Sequence, residues 1–305
     1  MTMNAPLGVE QGADDVEAHL PDAPKERKMT FRIHCSCPII LDWLAALACL
    51  VLALGLEKAS PKNRFVLKDT LYWNSFPHKQ NTVPSWSVPV YALVGPLVLM
   101  LVARFVQQRP WRELARLWAA LCLAFFLTGA ITNCLKLPVG RLRPNFVRTC
   151  WPNGTRVFTR EDEWGGYAVC DPSVPTSDLE EIRKSWPSGH SSLSAAGLGF
   201  TSLYLLGQLR PFSRGTCLGR LWRLLVALLP SFGAVAVGVT RVLDYWHFTS
   251  DVLTGLAIGF ITAYAVYRSI YPGLTDSQCN LQLDTILAER TTSTSAREMR
   301  RVEAF

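Results

Sequence analysis

Charge is scarce in this sequence. Asp, Glu, Lys and Arg make up 18% of the 305 residues, against about 25% in an ordinary soluble domain, and they cluster so that long apolar runs carry almost none. With 49% hydrophobic residues, a disordered chain is excluded. Nine Cys in 305 residues are too sparse for a disulfide scaffold. No signal-peptide pattern opens the chain, because the first apolar run lies behind a polar, partly acidic stretch from Glu10 to Asp22. No cluster of carboxylates with Mg²⁺ or Zn²⁺ ligand character accompanies the histidines, so neither a metal nor another cofactor is expected. The net charge of +7 would suit nucleic acid. The basic residues instead flank the apolar runs, as in membrane proteins, and no nucleic-acid partner is expected.

What is present is a set of runs long enough to cross a bilayer. They span about Ile39–Leu56, Pro89–Val106, Leu114–Leu135, Ser191–Leu209, Leu221–Val239 and Val252–Ile270. Each approaches the roughly 20 residues that a helix needs to traverse the hydrocarbon. A helix satisfies its own backbone in lipid, so the expected fold is an all-α, polytopic membrane protein with six transmembrane helices. Three organisational units are expected: a flexible cytoplasmic leader at 1–36, a membrane domain at 37–272 and a flexible cytoplasmic tail at 273–305. Membrane lipids surround such a chain, and self-association is left open.

Basic residues set the orientation. They precede the first run (Lys25, Arg27, Lys28, Arg32) and crowd two short turns (Arg104, Arg109, Arg112, Arg116; and Arg210, Arg214, Arg220, Arg223). Those segments share a side with the C-terminus, so both termini are expected in the cytoplasm. The Asn153-Gly154-Thr155 sequon falls in a long loop on the other side, making Asn153 a candidate glycosylation site. Cys150 and Cys170 flank it at a spacing compatible with a disulfide in a lumenal or extracellular compartment, or they are simply unpaired. Cys35 and Cys37 precede the first run, where palmitoylation is conceivable but unspecific.

Three polar clusters stand at the outer ends of the runs. The first is Lys136-Leu-Pro-Val-Gly-Arg141-Leu-Arg143-Pro144, and the second is Trp186-Pro187-Ser188-Gly189-His190. The third runs from Thr240-Arg241 through Asp244 to His247 and Asp251. Helical hairpins return all three to one surface. Lys136, Arg143 and Arg241 would form a phosphate site, with forked guanidinium donors and a compact ammonium. Ser188 and Gly189 begin a helix whose free N–H groups favour an anion. His247 and Asp251 are four residues apart on one helix face, so the carboxylate could accept the Nδ1 proton and leave Nε2 as a nucleophile. His190 would protonate the leaving alkoxide and then activate water.

Blander readings apply to several neighbours. Arg104, Arg112, Arg116, Arg220 and Arg223 read as snorkelling anchors, and His34 and His78 as interface residues. Asp244 reads as a loop-ordering group, and Trp86, Trp111, Trp118 and Trp222 as an interfacial belt. Arg141 either adds to the phosphate field or faces solvent.

The clusters resemble the type 2 phosphatidic acid phosphatase (PAP2) superfamily, in its integral-membrane lipid phosphate phosphatase branch. That family's motifs are Lys, six residues, Arg-Pro; Pro-Ser-Gly-His; and Ser-Arg, five residues, His, three residues, Asp. They stand here as Lys136 to Pro144, Pro187 to His190, and Thr240-Arg241 to Asp251, with Thr240 in the place of Ser. The resemblance covers about Cys37 to Tyr271. It implies a PAP2/haloperoxidase-like helical bundle with phosphate held by Lys136, Arg143, Ser188, Gly189 and Arg241. By the same resemblance His190 is the acid, His247 the nucleophile and Asp251 its partner. It also implies magnesium-independent hydrolysis of phosphatidate, lysophosphatidate, diacylglycerol pyrophosphate or sphingoid phosphates. The alternatives are another phosphorylated substrate, head-group transfer to an alcohol, an anion transporter or channel, and an inactive lipid-binding homologue.

Overall fold

A computed structural model describes residues 38–213 and 219–302. The expected leader (1–36), with His34 and Cys35, and also Cys37 lie outside the described residues.

Six long helices account for the apolar runs: α1 (Pro38–Glu57), α2 (Ser87–Gln107), α3 (Trp111–Val139), α4 (Gly189–Leu209), α5 (Arg220–Leu243) and α6 (Thr249–Ile270). Several outrun the apolar stretch by about a turn at one end, and that polar turn carries Lys136, His190, Arg241 or Asp251. The stops are chemical. α3 ends at Gly140 in the left-handed conformation, where the Gly140 N–H bonds to the Lys136 carbonyl. α4 begins at Ser188, whose hydroxyl caps the first turn.

Five of the six, all but α4, are long and apolar enough to cross a membrane. α4 fails on composition. Ser191, Ser192, Ser194, Thr201 and Ser202 all lie on it and all are buried. Their hydroxyls are used between helices: Ser192 meets Thr132 at 2.8 Å, Ser194 meets Tyr91 at 2.7 Å, and Ser202 Oγ accepts from the Ser231 N–H at 3.0 Å. α4 thus sits at the centre, against α3, α5 and α6. Small residues permit the approach. A Cβ at Gly259 would overlap the Ser192 carbonyl and come within 2.6 Å of Ala195 Cβ, the close small-residue packing of membrane helices.

At one end of the bundle, residues 58–86 and 140–188 fold into a cap. Its three strands, β1 (Phe65–Leu67), β2 (Val157–Thr159) and β3 (Gly165–Val169), pair antiparallel in the order β1-β3-β2. Phe65 lies opposite Tyr167, and Val157 opposite Val169. Val66, Leu71, Phe146, Trp151, Ala168 and Ile182 form a small core beneath the sheet, and a disulfide joins Cys150 to Cys170. Asn153 is exposed, donating to Asp171 at 2.9 Å.

The opposite end differs from a flexible tail. Past Ile270 the chain folds back: Cys279, Gln282 and Ile286 are buried, and α7 (Leu283–Val302) follows. Polar contacts hold the return, with Gln282 donating to the Glu113 carbonyl at 2.8 Å and Arg210 to the Ser277 carbonyl at 2.6 Å. Arg116, expected as an anchor in the headgroups, instead pairs with Asp284 and lies 3.7 Å from Asp42. Arg104 stacks 3.9 Å above the Trp111 ring, and Trp118 packs against the core between α3, α4 and α6 and forms no exposed belt.

Gly259→Val tests the central packing. It should lower stability by about 1–3 kcal/mol or more, read as a fall in the thermal midpoint in detergent. Gly55→Ala, where nothing stands within 4 Å of the new methyl, should not.

Candidate active site

Where the cap meets the bundle, a cavity of about 460 Å³ is lined by Lys136, Arg143, Gly189, His190, Arg241 and His247, together with Glu57, Asn81, Glu181 and Trp246. The three clusters therefore open onto one space. Val88, Pro89, Phe125, Gly129 and Leu193 add an apolar part to its lining.

The cations are held in different ways. Arg241, fully buried, donates to Asn81 Oδ1 at 2.6 Å, to Asp244 Oδ2 at 2.9 Å and to Thr240 Oγ1 at 3.0 Å. Asp244 is itself fixed by the Thr82 N–H and hydroxyl, both at 2.8 Å; it orders the loop, as its position at a helix end suggested. Arg143 donates to Glu181 Oε2 at 2.5 Å and lies 4.8 Å over the Trp246 ring. Its Nε is buried without a hydrogen-bond partner among the described residues, as is His190 Nε2. Lys136 is buried beside Gly189, where a Cβ would stand 3.2 Å from its Nζ. Glycine thus keeps the ammonium and the start of α4 in reach of one ligand.

His247 is held in one tautomer. Its Nδ1 is 2.7 Å from the Ser185 carbonyl, an oxygen that can only accept, so Nδ1 carries the proton and Nε2 the lone pair. This differs from the expected direct bond to Asp251, whose Oδ2 is 3.8 Å away. The carboxylate is already engaged: Oδ2 accepts from Ser185 Oγ at 2.6 Å and from the Phe248 N–H at 3.0 Å, and Oδ1 accepts from Arg141 at 2.5 Å. Asp251 therefore acts one step back, bonding the residue whose carbonyl orients the imidazole. Arg141, for which two readings stood open, is the counter-charge of Asp251.

Ser188 takes another place than expected. Its hydroxyl accepts from the Ser191 hydroxyl at 3.0 Å, its N–H donates to the Asp251 carbonyl at 3.0 Å, and it is absent from the cavity lining. It joins the starts of α4 and α6. His78, exposed, sits against Trp246 at the rim.

Sequence reasoning did not find Asn81, Glu181 or Ser185. Asn81 comes from a segment with no helical period, Glu181 from a helix of six residues, too short for a period to show, and Ser185 orients His247 through its backbone carbonyl. The signal available for Glu181 and Ser185 was their nearness to Pro187-Ser188-Gly189-His190. Among the described residues, no group of three or more His, Cys, Asp or Glu could hold a metal ion.

The sequence matches the PAP2 superfamily over residues 117–273. Lipid phosphate phosphatase 1 of Arabidopsis thaliana is 38% identical over 231 residues, covering 76% of this chain and 68% of its own. This chain belongs to the PAP2 superfamily, in its lipid phosphate phosphatase branch. Lipid phosphate phosphatase 2 of the same plant is 37% identical over 76% of this chain and 77% of its own. Diacylglycerol pyrophosphate phosphatase 1 of Saccharomyces cerevisiae is 37% identical over 61% and 64% respectively. No solved structure matches the chain. Membership makes it a phosphatase, and with its five apolar helices it is an integral membrane protein.

Burial, reinforced by the Arg143 and Lys136 charges, outweighs Asp251 and lowers the His247 pKa to about 4. An imidazole titration followed by NMR should thus show His247 neutral down to about pH 4; a midpoint near 6.5 would contradict the burial. The unfolded chain takes up this proton near its ordinary pKa and the folded chain only near 4. This contribution to stability is therefore present above the ordinary value and lost as pH falls towards 4.

Proposed function

We propose that this chain hydrolyses lipid phosphate monoesters to a lipid alcohol and inorganic phosphate, without a metal ion and through a phosphohistidine. The observation that carries the reading is the convergence of Lys136, Arg143, Arg241, His190 and His247 on one cavity. A cationic cradle suits the equatorial oxygens of a phosphoryl group in transfer. The apolar part of the cavity lining suits the lipid that carries it.

The steps follow from the side chains. Lys136, Arg143, Arg241 and the backbone N–H of Gly189 hold the phosphate. His247 Nε2 attacks phosphorus, and the bond to the lipid oxygen breaks as His190 protonates that oxygen. His190 then takes a proton from water, whose oxygen attacks the phosphohistidine and frees phosphate, restoring His247. Ser185 and Asp251 fix the His247 ring. Because the donors already supply positive charge, the scheme needs no Mg²⁺.

Phosphatidate, lysophosphatidate and sphingoid phosphates fit this description. Diacylglycerol pyrophosphate, supported by the yeast relative's name, would lose its terminal phosphoryl group by the same steps, with phosphatidate as the leaving group in place of an alcohol. Residues 37–272 form the catalytic domain, with α4 as a sixth span whose low hydropathy reflects its central place. Both termini face the cytoplasm, and the cap, with Asn153 and the Cys150–Cys170 bridge, faces the lumen or exterior. Residues 1–36 are the cytoplasmic leader, and residues 273–305 lie on the same side.

Purified protein in mixed micelles should release phosphate from phosphatidate at the same rate with and without EDTA. His247→Ala should lose several orders of magnitude in kcat, at roughly wild-type thermal stability. Substantial release by the folded His247→Ala protein would sink the assignment. Expressed in a glycosylating host, wild type should carry a glycan that Asn153→Gln lacks; an unglycosylated cap would contradict the orientation.

A further inference from the structure

Glu181 has no part in the scheme above, although it lines the same cavity. It ends a short helix of the cap, Thr176–Glu181, and its Oε2 accepts from Arg143 at 2.5 Å. Among the described residues this is the hydrogen bond its carboxylate makes. Two other carboxylates stand near the cradle: Asp244, in the same turn as Arg241, is also held by Thr82, and Glu57 accepts from Asn133 at 2.7 Å. Both have a hydrogen-bond partner outside the cradle, whereas the hydrogen bond of Glu181 is to Arg143.

The backbone around Glu181 is fixed. The Arg143 N–H donates to the Ile182 carbonyl at 2.9 Å, and the Ser185 N–H to the Arg141 carbonyl at 3.0 Å. On the outer side of the same helix Glu180 accepts from the Ser60 hydroxyl at 2.6 Å. Glu181 can leave Arg143 by turning its own side chain, with no movement of the cap. The Glu181 side chain is also partly open, at 40% exposure against 6% for that of Arg143, so water can reach it when it leaves.

We propose that Glu181 is an exchangeable internal anion: it occupies Arg143 when no phosphate is bound, yields it to the phosphoryl group, and returns to it as inorganic phosphate departs. A cradle of three buried cations binds free phosphate, the last product, as readily as it binds substrate. A carboxylate waiting beside one of them lowers that affinity and speeds release. Glu181 is thus a positioning residue that sets the turnover cycle without touching the bond that breaks.

This inference rests on the phosphatase reading, and the test separates the two. Inorganic phosphate is titrated calorimetrically into the full chain in detergent, and its inhibition of phosphatidate hydrolysis is measured in parallel. Glu181→Gln keeps the shape and removes the charge. It should bind phosphate about tenfold more tightly, since partial exposure screens the pair, and should show correspondingly stronger product inhibition. Glu181→Asp, one methylene shorter, should fall between the Gln variant and wild type. A purely structural role, propping Arg143 in place, would weaken phosphate binding in Glu181→Gln. Weaker or unchanged affinity therefore overturns the proposal, while phosphate binding to wild type leaves the phosphatase reading intact. Absence of phosphate binding in wild type and both variants overturns both. Should the Gln protein not fold, the Asp variant decides alone: affinity no tighter than wild type refutes the exchange.

Discussion

Everything at the cap end depends on keeping three cations together in a buried space. Isolated charges are expensive to desolvate, and neighbouring like charges raise the expense. The chain meets this with carboxylates placed by separate segments. Asp244 comes from the turn after α5, and Glu181 from the cap. Loop 79–82 is drawn in by the same need. Asn81 reaches Arg241, Thr82 fixes Asp244, and the Lys79 carbonyl accepts from the Trp246 ring nitrogen at 3.0 Å. The cap is therefore more than a cover. Several of its segments are counter-charge or counter-dipole for the ends of the helices.

A second set of contacts links the two histidine-bearing elements. Ser188 opens α4 and bonds through its N–H to the Asp251 carbonyl in α6, while Ser185 meets Asp251 through its hydroxyl and His247 through its carbonyl. The Pro187-Ser188-Gly189-His190 turn and the His247-to-Asp251 turn thus form one hydrogen-bonded unit. Asp251 also accepts the Phe248 N–H at the start of α6, so one carboxylate caps a helix and orders the His247 imidazole through Ser185. Its spacing from His247 pointed to a direct bond. Three nearer donors, two of them invisible to a spacing argument, took the carboxylate instead.

The helices were legible because their apolar runs are long and bounded by charge, and helix spacing alone brought the three clusters to one end. The branch of the PAP2 superfamily was legible because the motif residues are side chains at fixed spacing. What sequence left out has short or irregular pattern. The cap strands have three to five residues, too few for alternation to stand out, and β1 pairs with β3 across about 100 residues. The fold-back past Ile270 lacks a long apolar run; it is held by Gln282, Arg210 and Arg116, whose partners are partly backbone carbonyls. Composition reads such polar residues as solvent-facing.

α4 unites these points. A helix at the centre of a bundle need not be apolar, because its neighbours replace lipid and its hydroxyls can bond to them. Ser192, Ser194 and Ser202 do this, and Gly197, Gly199 and Gly207 are likewise closely approached by neighbouring atoms. The same small side chains let α6 come close enough for Gly259 to meet the backbone of α4 at Ser192. Larger, more apolar residues there would raise the hydropathy of α4 and push α6 away. His247 and Asp251 would then separate from Gly189 and His190. The composition that makes this helix the weakest candidate for a membrane span is thus what lets its first turn share a cavity with His247, in the turn that leads into α6.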